Sequence, residues 1–181
     1  MNIMRTQEIE TSAVQVGDQI QVGKYTATCQ KVVDGKAIFL MDQYLDKPYP
    51  MNNRLTNEGG YDASDLRAEF KNIILDTNFD TIRDSLVPFA NGDLMRIATV
   101  GEMFGHDDYY EMDDAEQWEL MKDRRNRIAL RDGDEYEWGW LQNKVKNSSA
   151  YFAIVSYDGL AYSDGASSTY LGVRPVFQLV G

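Results

Sequence analysis

The sequence is poor in the two side chains that most often build metal and redox sites. Among its 181 residues there is one cysteine, Cys29, and one histidine, His106. A single cysteine excludes a disulfide within the chain, and a zinc site could form only if carboxylates supplied most of its ligands. Cys29 lies inside a predicted strand, where a small buried residue is expected. We therefore expect no cofactor and no metal centre.

Basic charge and long apolar runs are also scarce. The chain has 18 Lys and Arg against 29 Asp and Glu, a net charge of −11 and a pI near 4.5. Nucleic acids and anionic membranes require clustered positive charge, so neither is expected as a partner. The only basic cluster, at 124–127, is embedded among acids. No run has the length of a membrane span and residues 1–10 lack a signal-peptide core, which predicts a cytoplasmic location.

The composition is that of a globular protein, with 43% hydrophobic and 26% charged residues. At this length, without a repeat or a low-complexity linker, it predicts a single α+β domain over residues 1–181. Strands are predicted at 19–22, 25–33 and 36–41, because Asp34-Gly35 between apolar runs is a strong hairpin signal. The N-terminal third is therefore predicted to be an antiparallel meander.

Helices are predicted from caps and apolar stripes. Ser64 is the expected cap of a helix ending at residue 75, and a second short helix is expected around 79–86. Thr99 with Glu102 forms a capping box, and Asp113 with Glu116 predicts another that opens a helix. The apolar positions of these predicted helices are Leu66, Phe70, Ile73, Ile74, Phe79, Ile82, Leu86, Trp118 and Met121.

Further strands are predicted at 94–98, at 127–130 and 137–141 about an Asp132-Gly133 turn, and in the apolar runs 150–155 and 173–180. Pro175 cannot donate to a ladder, so the last strand is expected at an edge or with a bulge. Arg174 needs a carboxylate or carbonyl partner. We interpret it as a buried structural arginine, with an anion-binding role as the alternative.

Two loops leave alternatives open. Residues 42–60 are too rich in Pro, Asn and Gly for a regular element, and the loop is either functional or packs its tyrosines. His106-Asp107-Asp108 could be half of a Ser-His-Asp system with a serine elsewhere, although adjacency in a loop does not establish that geometry. The nearby acids offer oxygen ligands for calcium, but their spacing fits no defined calcium loop. These acids are Asp107, Asp108, Glu111, Asp113 and Asp114.

Residues 147–170 interleave tyrosine with serine and glycine, which is typical of a recognition surface. Asp158-Gly159 and Asp164-Gly165 are interpreted as turn dipeptides, so the turns at 156–159 and 163–170 are expected on the surface near the 42–60 loop. The candidate ligand-binding residues are Tyr157, Asp158, Tyr162, Asp164 and Tyr170. We expect Tyr170 alone to be drawn into the core by Gly172 and Arg174. The alternative is an ordinary antiparallel sheet with polar turns.

Several short segments occur in the order seen in one known family. They are Gly17-Asp18 with its following strand, YDASDLR at 61–67, IATVGE at 97–102, WGWL at 138–141 and GVRPVF at 172–177. The chain resembles a domain family of unknown function from gut bacteria and their phages, similar in fold to the C-type-lectin-like fold of formylglycine-generating enzymes and phage tropism determinants. The family often continues as WWLRS where this chain has WGWLQ, so that arginine's role does not carry over.

The resemblance implies a C-type-lectin-like fold of antiparallel sheets with a few short helices. Formylglycine-generating enzymes need a cysteine pair and their iron-dependent relatives need several histidines, so the chain is expected not to be an enzyme of either kind. In tropism determinants the C-terminal region contacts the receptor. The resemblance thus implies a phage-associated module, cytoplasmic or in a virion, that binds a glycan or protein receptor. An enzyme of unknown reaction and a structural assembly domain remain as alternatives.

Overall fold

The N-terminal hairpins follow the turn chemistry of the sequence. In the computed structural model, which describes residues 13–131 and 135–181, Asp34 and Gly35 have φ angles of 51° and 73°. Positive φ at both positions is what a type I′ hairpin turn requires. This turn joins β2 (Tyr25–Val33) to β3 (Lys36–Met41), and β1 (Gln19–Val22) pairs antiparallel with β2. The three predicted strands are confirmed with their predicted bounds, and Cys29 is fully buried in β2.

The C-terminal strand lies inside the first sheet, not at its edge. The sheet has the order β1-β2-β3-β10-β4, where β4 is Met95–Arg96 and β10 is Val176–Val180. The edge prediction is wrong because Pro175 precedes the first strand residue, so its missing N–H interrupts no ladder. Its carbonyl still accepts a hydrogen bond from the Met41 amide at 3.0 Å.

A second antiparallel sheet has the order β7-β8-β9, with β7 at Gly139–Lys144, β8 at Tyr151–Val155 and β9 at Ala161–Gly165. Two short strands, β5 (Leu130–Arg131) and β6 (Glu135–Tyr136), form a separate ribbon. The Asp132-Gly133 turn predicted between them lies outside the described residues. Residue 127, predicted in a strand, instead ends helix α3 (Arg124–Arg127), because the Asp123 carboxylate caps that helix at the Arg125 amide.

Helix α1 spans Asp65–Ile73, two residues shorter than predicted, and the Ser64 hydroxyl accepts from the Arg67 amide at 3.1 Å. The predicted second helix is two separate 3₁₀ turns, Thr77–Phe79 and Arg83–Ser85. The Asp76 side chain caps the first of these turns at the Asn78 amide.

The two predicted capping boxes have different outcomes. Thr99 and Glu102 form the predicted box at the start of α2 (Val100–Phe104), and Gly105 closes the helix with φ of 76°. Asp113 opens no helix. Its carboxylate instead accepts hydrogen bonds from the Thr99 hydroxyl at 2.6 Å and the Gly101 amide at 3.1 Å, so it supports the N-terminus of α2.

The described residues thus form a mixed α+β structure of antiparallel sheets with a few short helices. Strand β8 is buried on both faces: Phe152 and Ile154 join one apolar cluster, and Ala153 and Val155 join the other. The first cluster lies against β2, β3, β10 and α1, and the second lies against α2 and residues 118–121. Strand β8 therefore packs against apolar clusters on both faces, which positions the neighbouring edge strand β9.

The 42–60 loop packs along the C-terminal segment. Amides of Leu45, Tyr49 and Asn52 donate to the carbonyls of residues 173, 171 and 166 at 2.9–3.2 Å. Tyr44 is 2% exposed, and burial raises its pKa to about 12. A Cβ atom added at Gly139 would lie 2.2 Å from its ring. Of the two roles that the sequence leaves open, the contacts of Tyr44 show packing.

Candidate functional site

The hairpin turn between β8 and β9 positions the first predicted site residues at the surface. The Ser156 amide donates to the Leu160 carbonyl at 2.8 Å, and the Leu160 amide donates to the Ser156 hydroxyl at 3.0 Å. The Arg127 guanidinium donates to the Gly159 carbonyl at 2.9 Å, which ties the turn to α3. The Asp158 carboxylate accepts from the Ser156 hydroxyl, so it braces the turn from within.

Three aromatic rings line up on one side of this hairpin. Trp138 stacks with Tyr157 at a centroid distance of 6.0 Å and with Tyr162 at 6.2 Å, with interplanar angles of 26° and 28°. Tyr157 is 52% exposed and Tyr162 is 51% exposed, while Trp138 is half-buried between them. We call Tyr157, Trp138 and Tyr162 the aromatic row. It brings together residues from β9, from the β8–β9 turn and from the position before β7.

A hydrogen-bonded carboxylate lies beside the row. Asp164 follows Tyr162 by two residues on β9, so the two side chains share a face. Its oxygens accept from the Tyr170 and Ser168 hydroxyls, both at 2.5 Å, and from the Gly165 amide at 2.7 Å. The hydrogen bond to Asp164 raises the pKa of Tyr170. Asp164 therefore orients Tyr170 on the row's side of the sheet.

Two predictions about this segment are wrong. Tyr170 is 57% exposed instead of buried, because its hydroxyl is held by Asp164 at the surface while Leu171 enters the core. Asp164-Gly165 is not a turn but the end of strand β9. An added Cβ at Gly165 would lie 2.8 Å from Leu55 Cδ1, the end of an exposed side chain that can move aside.

The predicted position beside the 42–60 loop holds for one of the two segments. The Asn52 amide donates to the Ala166 carbonyl at 2.9 Å, so residues 163–170 adjoin the loop as predicted. The turn at 156–159 packs against α3 instead, because the Gly159 backbone lies against Arg124 and Ile128. Of the five predicted site residues, Asp158 braces the hairpin turn. The other four lie on the side of the sheet that carries the aromatic row: Tyr157, Tyr162, Asp164 and Tyr170.

Sequence reasoning missed Trp138 as a site residue. The signal was the alternation in WGW, since Trp138 and Trp140 are two residues apart and share a face of the strand. Trp140 is 2% exposed and its indole donates to the Tyr49 carbonyl at 2.8 Å. Trp138, one position before β7, is partly buried against the core and forms the centre of the row.

The remaining candidates show no catalytic or metal site. His106 Nε2 lies 2.6 Å from Asp108 Oδ1, but both side chains are more than two-thirds exposed. The hydrogen bond from His106 lowers the pKa of Asp108. No serine hydrogen-bonds to His106 among residues 13–131 and 135–181. Within the same ranges, no group of three or more His, Cys, Asp or Glu is arranged to hold a metal ion.

A separate cleft lies away from the row. It measures about 540 Å³ between α1 and residues 92–95, and none of the predicted site residues lines it. The row itself is an open surface. Such a surface suits extended or macromolecular ligands better than an enclosed small molecule.

Comparison with known proteins gives no relative: no family model, no curated protein and no solved structure matches the chain. In the part of the chain that the structure describes, no helix has the length and apolar character needed to cross a membrane.

Proposed function

We propose that the protein is a non-enzymatic binding module that recognises a glycan or protein receptor through the aromatic row. The observation that carries this proposal is the stacking of Trp138 between Tyr157 and Tyr162, with both tyrosines about half exposed. Single exposed apolar residues are common and need no explanation. A cluster of exposed rings, in contrast, usually marks a binding site.

The chemistry of the row favours a glycan over a protein. Tyrosine and tryptophan offer a flat apolar face with a polar tip, which suits the apolar faces and hydroxyls of a sugar ring. The stacked neighbours hold one another in place, so little side-chain entropy is lost when a ligand binds. Asp164 and the Tyr170 hydroxyl add polar groups beside the rings. A protein receptor using the same rings as hot spots is the second outcome that the experiment distinguishes.

We further propose that the fold is C-type-lectin-like and that the protein belongs with phage or prophage proteins, in a virion or in the host cytoplasm. The resemblance of the five short segments supports this proposal, as do the antiparallel sheets with few helices. Fold does not determine function, so the binding role is argued from the row alone.

A glycan array probed with the purified protein tests the proposal. We expect binding to a discrete set of glycans, and loss of that binding in Tyr157→Ala and Tyr162→Ala. Trp138 gives a second readout, because Trp118 and Trp140 are at most 4% exposed, so ligand-dependent quenching of tryptophan fluorescence reports mainly on the row. If no glycan binds, attachment to host-cell surface protein extracts tests the protein-receptor outcome with the same variants.

The enzyme alternative makes a different prediction. An enzyme on this scaffold would use His106, the only histidine in the chain. His106→Ala would then abolish any turnover detected in an activity screen, while leaving glycan binding unchanged. Turnover that depends on His106 but not on the aromatic row would replace the binding-module proposal.

A further inference from the structure

A second pocket lies next to α3. A pocket of about 180 Å³ opens between strand β2, the residue that follows β3, and residues 120–128. It is lined by Thr28, Gln30, Asp42, Leu120, Met121, Arg125, Asn126, Ile128 and Arg174. This volume can accommodate several water-sized groups, which is enough for a small organic molecule.

Arg174 provides a buried positive charge in the wall of this pocket. It is 9% exposed, and it forms no ion pair within residues 13–131 and 135–181. Its Nε donates to the Met41 carbonyl at 2.6 Å, but Nη1 and Nη2 reach the carbonyls of Asn126 and Arg127 only at 3.2–3.4 Å. Burial lowers its pKa. A buried guanidinium with only peptide carbonyls as partners still attracts an anion.

Asp42 provides the opposite charge in the same pocket. Its carboxylate accepts hydrogen bonds from the hydroxyls of Thr26 at 2.6 Å and Thr28 at 2.7 Å and from the Gln19 amide group at 2.8 Å, and it pairs with no cation in the described ranges. Asp42 is close enough to Arg174 to attract it electrostatically, but the two form no salt bridge. The pocket therefore lies between a separated cation and anion.

Gln30 adds an unused hydrogen-bond acceptor. It is 4% exposed and its Nε2 donates to the Thr28 carbonyl at 3.1 Å, which fixes the direction of the amide. Its Oε1 is buried and has no partner in the described parts of the chain. Because this oxygen is closed off from solvent, Gln30 contributes to the pocket wall and not to the charged contacts.

We propose that this pocket binds a small α-amino acid, with the carboxylate beside Arg174 and Arg125 and the ammonium group beside Asp42. A free amino acid carries both charges within a few bonds, as the separated charges of the pocket require. The volume restricts the ligand to a small side chain. Leu120, Met121 and Ile128 provide the apolar wall for that side chain. The site shares no lining residue with the aromatic row.

Two-dimensional amide NMR of the full chain tests the proposal, with glycine, L-alanine and L-serine as probes. We expect saturable shifts at the amides of Thr28, Gln30 and Asn126, and weaker shifts with acetate or methylamine, which each carry one charge. No saturable shift with any of the three amino acids would overturn the proposal. Acetate binding as tightly as glycine would also overturn it, because the pocket would then be a simple anion site.

Variants locate the binding site. Arg125→Gln is expected to weaken glycine binding roughly two- to fivefold, because Arg125 is exposed and its guanidinium is shared with the Asp123 carboxylate at 2.9 Å. Asp42→Asn is expected to weaken it by about tenfold, since it removes the charge that faces the ammonium group. The matched control is Arg124→Gln, an exposed neighbour that does not line the pocket. Unchanged affinity in Arg125→Gln and in a folded Asp42→Asn would overturn the assignment, and Arg125→Gln alone decides if Asp42→Asn does not fold.

Discussion

Arg174 joins three separate segments of the chain at one buried guanidinium. Its donors reach the carbonyl that ends β3 and two carbonyls of α3, from a position just before β10. Lysine would keep the charge but lose the planar set of donors. We predict that Arg174→Lys lowers the free energy of unfolding by about 2–3 kcal/mol, measured by urea unfolding.

The matched control for that measurement is Arg124→Lys, because Arg124 is exposed on the same helix that Arg174 contacts. It should leave the unfolding midpoint nearly unchanged. An equally small effect of Arg174→Lys would mean that the three carbonyls find other partners, and the structural role of Arg174 would be wrong.

Asp113 holds the start of α2 and strand β7 together. It accepts from the Thr99 hydroxyl, the Gly101 amide and the Asn143 amide group at 2.6–3.1 Å. Burial by itself raises the pKa of Asp113, but these hydrogen bonds outweigh it and the net pKa is lowered. We predict that Asp113→Asn destabilises the protein by about 1–2 kcal/mol at pH 7.

The same variant has a defined pH dependence. Because the folded-state pKa lies below the unfolded value of about 3.9, the carboxylate contributes its full stability above that value and loses it as the pH falls through the folded-state pKa. The difference in unfolding free energy between the protein and Asp113→Asn should therefore be constant from pH 7 to about pH 5 and shrink below pH 4. A difference that grew on acidification would contradict the assignment.

At the scale of elements, Tyr44 packs the 42–60 loop against β7 and against the segment at Gly172 that precedes β10. An added Cβ would lie 2.2 Å from its ring at Gly139 and 2.7 Å from it at Gly172. We predict that Gly139→Ala costs about 1–3 kcal/mol by overpacking and that Tyr44→Ala costs about 3–5 kcal/mol by leaving a cavity. The double variant should cost no more than Tyr44→Ala, since no ring remains to clash, and additive costs would show that the two sites are independent.

Elements fixed by local chemistry could be predicted from the sequence. The Asp34-Gly35 hairpin and the Thr99 capping box depend on neighbouring residues, and the structure confirms both. Asp113 matches the capping-box spacing equally well, but its carboxylate is used by a helix that ends nine residues earlier. No local pattern distinguishes these two uses of one side chain. The Asp164-Gly165 turn prediction failed for the same reason, because both residues pair with strand β8.

The candidate site was predictable only in part. The exposure of Tyr157 and Tyr162 follows from their place in and beside a hairpin, and the structure confirms both. The row depends on a third ring, Trp138, which meets them only because β7, β8 and β9 are neighbours in that order. That pairing is tertiary, so periodicity along the chain could not reveal it.

At the scale of the whole molecule, the net charge of −11 opposes binding to polyanions. Nucleic acid affinity comes largely from basic side chains that displace counterions, and this chain has eleven more acids than bases (29 − 18). We predict no shift of duplex DNA or single-stranded RNA in gel retardation at low salt. Retardation that weakened steeply with added salt would show a basic surface that the charge balance conceals.

Also at this scale, the aromatic row lies on one face of the β7-β8-β9 sheet. Tyr162 lies opposite Ile154 on β8, whereas the half-exposed Tyr151 points to the other face of that strand. Tyr151→Ala is therefore a matched control, a tyrosine on the same sheet but away from the row. Surface changes of this kind should alter the unfolding free energy by about 1 kcal/mol or less.

The most direct measurement is glycan-array binding of the protein beside Tyr157→Ala, Tyr162→Ala and Tyr151→Ala, with unfolding curves for each. We expect the first two variants to stay folded and lose binding, since each removes one exposed ring of the stack. Tyr151→Ala should bind as the unaltered protein does. Unfolding caused by Tyr157→Ala or Tyr162→Ala alone, or binding that survives both changes, would contradict the aromatic row as the recognition surface.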